Sequence, residues 1–125
     1  MKQDIKTKWV AALRHGTYKQ GTHRLRTGNR FCCLAVLCDV IDPDGWESPV
    51  RHTLEVFSHN GSIGMPRNEV YCTAELEPTV LVTKEQLEAI GIVVNNTSNS
   101  FTLSLLNDML GLTFDQIALV IETYL

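Results

Sequence analysis

Phe31-Cys32-Cys33-Leu34-Ala35-Val36-Leu37-Cys38-Asp39-Val40-Ile41 is the stretch on which the fold turns. Its one charge is Asp39, and its apolar side chains would cover nearly every face of a helix. That pattern predicts a central buried helix over 31–41, although periodicity alone also admits a buried strand. The run is about half as long as a membrane span. Asp42-Pro43-Asp44-Gly45 follows it and predicts a stop and a turn.

Upstream, Ile5, Trp9, Ala12 and Leu13 recur at helical spacing, and Gly16 is placed to end that helix. Lys6, Lys8 and Arg14 would occupy its wet face. Residues 17–30 have no strong period; Gly21 and Gly28 mark turns, and 22–26 could form a short strand. Downstream, Thr53–Phe57 and Glu69–Thr73 are rich in β-formers and are separated by turn-rich sequence, predicting a small antiparallel hairpin. Pro49, Pro66 and Pro78 keep such strands short.

The last third carries clearer punctuation. Thr83-Lys84-Glu85-Gln86 is a capping box opening a helix that Gly91 closes, and Thr113-Phe114-Asp115-Gln116 is a second. Leu103, Leu106 and Leu110 mark a short helix between them, ended by Gly111. The prediction is one mainly helical α+β domain over 1–125. It divides into a basic segment 1–30, the buried helix 31–41, a β-rich middle 46–82 and a helical end 83–125.

Hydrophobic residues make up 44% of the 125 and charged residues 20%, enough for a real core, so disorder is not expected. The first residues have no apolar signal-like region, and the expected location is the cytoplasm, with no membrane association. Free thiols at Cys32, Cys33, Cys38 and Cys72 fit that compartment.

Charge is unevenly divided. Lys2, Lys6, Lys8, Arg14, Lys19, Arg24, Arg26 and Arg30 are eight of the eleven basic residues, and Asp4 is the only acid among the first thirty positions, a net of +7. The other 95 residues hold 3 basic and 13 acidic side chains, a net of −10. Such a split points to an anionic partner for the basic end. The competing reading is internal: the cations pair with the chain's own Asp39, Asp42, Asp44, Glu75 and Glu77.

Within 18–30, Lys19, His23, Arg24, Arg26 and Arg30 are the candidate ligand contacts, because Arg recognises phosphate and carboxylate bidentately. If 22–26 is extended, Arg24 and Arg26 share one side and form a clamp. Tyr18 and Trp9 could stack on a base, though the spacing of Trp9 favours burial. There is no Walker A loop and no G-x-G-x-x-G, which argues against nucleotide hydrolysis or dinucleotide binding.

Cys32 or Cys33 offers a second chemistry. A thiol at a helix N-terminus gains thiolate stability, Arg30 would help, and His52 or His59 could serve as base in a cysteine-dependent hydrolase. Structural burial is the competing reading, since Cys packs as a small hydrophobe. Cys32, Cys33 and Cys38 lack zinc-site spacing, so no metal is expected, and no motif asks for a cofactor. Asn107-Asp108 could coordinate a ligand or cap a helix; local hydrogen bonding favours capping.

Trp9 to Arg14, Tyr18-Lys19-Gln20-Gly21, Leu25-Arg26, Phe31 to Asp39, Leu106-Asn107-Asp108 and Thr113 to Ala118 occur in this order. Together they resemble a family of small proteins carried by bacteriophages and bacterial genomes. Its pattern is W-x-x-x-L-R-x-G-x-Y-x-Q, L-R, F-C-C-L-G-V-L-C-D, L-N-D and F-x-x-I-A. Ala35 replaces its usual Gly, and Met109-Leu110 shifts its N-D-x-G spacing. The resemblance implies an accessory protein acting on host machinery or host signals, such as an anti-defence protein. The partner would be an anionic ligand (a nucleotide-like signal or a nucleic acid) or a host protein, the last through an acidic protein surface or through the chain's own acidic surface. Self-association into a homo-oligomer stays open.

Overall fold

The computed structural model describes residues 3–23, 25–46 and 81–125, and the backbone of 56–57. Helix α1 (Gln3–Arg14) carries Asp4 in its first turn and Arg14 in its last, each favourable to the helix dipole. It buries Trp9, Val10 and Leu13 and ends before Gly16, whose φ of +71° suits a residue without Cβ. Four two-residue strands of one sheet are described: β1 (Lys19–Gln20), β2 (Arg26–Thr27), β3 (Arg30–Phe31) and, further along the chain, β4 (Val56–Phe57). Their order is β1-β3-β2-β4, with β1 parallel to β3 and the other pairs antiparallel.

Helix α2 (Cys33–Ile41) is the central helix predicted over 31–41, shorter by two residues: Phe31 ends β3 and Cys32 is the N-cap. Every residue from Cys33 to Cys38 is buried. Pro43–Gly45 then forms a 3₁₀ turn, as the Asp-Pro-Asp-Gly run predicts. A second, two-stranded antiparallel sheet pairs β5 (Val82–Thr83) with β6 (Ser100–Phe101). Helices α3 (Lys84–Ala89), α4 (Leu103–Asp108) and α5 (Phe114–Tyr124) complete the described chain. Both predicted capping boxes are formed in full, on Thr83 with Gln86 and on Thr113 with Gln116. The architecture is a mainly helical α+β fold.

Helix α1 lies against α5 and α2, and α4 bridges α2 and α5. The core runs continuously from Trp9 and Leu13 through α2 to Leu103, Leu106, Ile117 and Ile121. Full burial of each Leu or Ile here contributes about 1.5–3 kcal/mol. Trp9 is only 1% exposed, and its Nε1–H donates to the Cys33 carbonyl at 2.9 Å, tying α1 to the start of α2.

The predicted hairpin pairs Thr53–Phe57 with Glu69–Thr73; of these only 56–57 are described, so that pairing lies outside the described residues. Strand β4 pairs on one side with β2, and among the described residues the other three strands of this sheet come from 19–31. Two-residue strands are too short to show an alternating pattern, so 17–30 read as aperiodic. Within the predicted strand 22–26, His23 leaves the extended region at φ +66° and β2 begins only at Arg26.

A candidate anion-binding face

Strand register sorts the basic residues. Lys19 is paired with Arg30, and Arg30 with Thr27, so these three form one row across the sheet. Gln20, Phe31 and Arg26 form the adjoining row, which alternation turns to the opposite face. Lys19, Arg30 and Thr27 are exposed, whereas Phe31 is buried and Gln20 and Arg26 are half-buried. Neighbouring strands lie about 4.8 Å apart, so two cations stand side by side on the outer row. Like charges directly opposite on a sheet are mutually unfavourable. Among the described residues neither is ion-paired. Arg30 Nη1 makes only a long 3.4 Å hydrogen bond to the Gln20 carbonyl.

Gly21 lets these strands approach. A Cβ there would lie 2.9 Å from the Arg30 Cβ, and the Gly21 amide donates to the Phe31 carbonyl at 2.8 Å. His23 is exposed nearby in sequence. Arg24, one arm of the expected Arg24–Arg26 clamp, lies outside the described residues; the other arm, Arg26, is on the opposite row.

Arg26 faces an aromatic cluster. Its guanidinium carbon lies 4.9 Å from the Phe31 ring centre and 5.1 Å from that of Trp46, and its Nε–H donates to the Gly28 carbonyl at 2.9 Å. Tyr18 meets Phe31 edge-on at 5.0 Å, and Phe31 meets Trp46 edge-on at 5.8 Å. Asp39 accepts from the Tyr18 hydroxyl and, at 2.9 Å, from Trp46 Nε1. Burial, reinforced by that bond to Asp39, pushes the Tyr18 hydroxyl up to about 12. Tyr18 and Trp9 are thus both turned inward and engaged, so neither offers a stacking platform for a base.

The opposite end of the basic segment is partly neutralised from within. Arg14 donates to Glu122 of α5 at 2.7 Å, and this bond raises the pKa of Arg14 and lowers that of Glu122. The pair spans a groove of about 430 Å³ lined by Lys6, Val10, Ala11, His15 and their neighbours. Internal pairing therefore operates on α1. The acid it uses, Glu122, is not among those expected from the sequence.

The two candidate nucleophiles, Cys32 and Cys33, are both packed in the core. Cys32 is the N-cap of α2, as a helix-start nucleophile would be, yet it is 1% exposed and burial pushes its pKa up to about 11. Cys33 is fully buried, its pKa is also raised by burial, and its Sγ approaches the Leu103 carbonyl at 3.7 Å. Desolvation outweighs the helix dipole. The proposed bases His52 and His59, and Cys72, lie outside the described residues. Among the described residues no group of three or more His, Cys, Asp or Glu side chains is placed to hold a metal ion.

Asn107 is the polar residue that sequence reading under-reads. It is 1% exposed, and its Oδ1 accepts from Gln20 Nε2 at 2.9 Å and from the Cys33 amide at 3.3 Å. Its Nδ2 donates to the Gly21 carbonyl at 2.9 Å and to Asp108 Oδ1 at 2.8 Å. It therefore serves a first-turn amide of α2, whose own N-cap Cys32 makes no side-chain cap. The sequence favours a local cap; Asn107 instead serves the start of a distant helix, while Thr113 and Gln116 cap the helix that follows it. A buried helix start lacking Ser, Thr, Asp or Asn was the available signal.

Among the described residues no helix is long and apolar enough to cross a membrane. No curated protein and no solved structure matches the chain. A family model does match, over residues 1–125, and the chain accordingly belongs to the family defined by the domain of unknown function DUF8296.

Proposed function

We propose that this chain is a phage-type accessory binding protein, with an anti-defence role, that holds a phosphate-bearing anion on the outer row of its mixed sheet. Lys19 and Arg30 are the primary contacts, with Thr27 beside them. The observation that carries the reading is the placement of two exposed, like-charged side chains on paired strands with no carboxylate partner among the described residues. A bound anion relieves their repulsion, and Arg supplies a bidentate fork next to the point charge of Lys. The inward orientation of Tyr18 and Trp9 favours recognition of charge over recognition of a base. Nucleic-acid backbone or another polyphosphate fits this better than a nucleotide signal read through its base. The phage association rests on the motif resemblance alone.

The test is titration of the protein into single-stranded oligothymidylate and into inorganic polyphosphate across a salt series. Affinity should fall linearly in log–log form with salt, and Lys19→Ala with Arg30→Ala should remove it. Salt-insensitive binding, or a double variant that binds like the parent, overturns the reading. Preference for an acidic peptide over both phosphate probes would transfer the face to a protein partner.

A further inference from the structure

We propose that Arg26 is a positioning residue for this face and not one of its ligand contacts, an inference that rests on the reading just given. By sequence Arg26 is equivalent to Arg30; by register it is on the opposite row, paired with Phe31. A planar guanidinium can stack by its faces while donating from its edge, which an ammonium cannot do. Arg26 does both, lying over Phe31 and Trp46 while its Nε–H holds the Gly28 carbonyl.

Gly28 is the first central residue of the two-residue loop joining Thr27 to Arg30, and its φ of +58° suits the primed turns of tight hairpins. Fixing that carbonyl fixes the turn from which Arg30 emerges. The aromatic side of the contact is itself anchored, because Trp46 and Tyr18 both donate to Asp39 of α2. A continuous set of contacts thus runs from the buried helix through Asp39, Trp46 and Arg26 to the Gly28 turn. Through it the rigid core sets the direction of the exposed Arg30 against Lys19.

The experiment compares Arg26→Met, Arg26→Lys and Arg30→Ala for oligothymidylate affinity over a salt series, together with amide hydrogen exchange of the free proteins across 27–30. Arg26→Met and Arg26→Lys should each weaken binding roughly tenfold with an unchanged salt slope, whereas Arg30→Ala should lower the slope by about 0.7, one phosphate contact on a single strand. Exchange across 27–30 should accelerate in both Arg26 variants. Binding by Arg26→Lys equal to the parent overturns the inference, and a slope lowered by Arg26→Met as by Arg30→Ala overturns it by making Arg26 a charge contact. Unchanged exchange with intact parental binding refutes it alone. Absence of parental binding removes the anion-binding reading and this inference together. Arg26→Lys, the milder change, decides the matter if Arg26→Met does not fold.

Discussion

Replacing Asn107 with Ala should be among the most damaging single polar changes in this molecule. Asn107 makes four hydrogen bonds at 2.8–3.3 Å from a site 1% exposed. Gln20 Nε2 keeps a second acceptor, the Leu112 carbonyl at 2.8 Å, so its loss is small. The Cys33 amide keeps none that a side-chain cap could supply, and an orphaned buried donor costs about 1–3 kcal/mol. The lost donations to Gly21 and Asp108 add about 1 kcal/mol each, giving a total of about 3–5 kcal/mol. Against a domain stability of about 5–15 kcal/mol that is a large fraction. Urea unfolding reads it directly: with a slope of about 1–3 kcal/mol/M, the midpoint should drop by roughly 2 M at constant slope. Asn107→Asp supplies an internal control. It keeps the acceptor but places a carboxylate next to Asp108, raising the new group's pKa. Its penalty relative to the parent should therefore grow as pH rises above the ordinary Asp range near 4. A midpoint shift for Asn107→Ala worth less than about 1 kcal/mol would show that the geometry overstates this network.

Other consequences are equally direct. Cys32 and Cys33 should resist alkylation at pH 7 in the folded protein and react on denaturation, read by peptide mass spectrometry; rapid folded-state labelling of either would revive thiol chemistry. Because the folded pKa of Tyr18 is raised from 10.0 to about 12, its stabilising contribution should persist below pH 10 and disappear as pH rises through about 12. A late phenolate absorbance near pH 12 that is absent from Tyr18→Phe would verify this, and an unchanged titration curve would contradict it. Thr113→Ala removes one side of the α5 capping box and should cost about 1 kcal/mol by denaturant unfolding. No change there would mean that the helix start is held by packing alone.

Local chemistry was readable wherever a short segment dictates its own geometry. The apolar run 33–38 has to be buried on every side, Thr83 and Thr113 satisfy amides three residues away, and Gly16, Gly91 and Gly111 each take a positive φ just beyond a helix. The charge split was equally plain from composition. Which cations remain available was not, because register is a property of paired strands. Lys19 and Arg30 meet through a parallel pairing across eleven positions of chain, and Arg26 is turned inward by its pairing with Phe31. The same holds for Arg14 with Glu122 and for Asn107 at the foot of α2, partners brought together by the packing of α1 on α5 and of α4 on α2. The chain alone settles what each segment prefers within one turn of helix; long-range closure decides which polar groups find each other and which are left facing water.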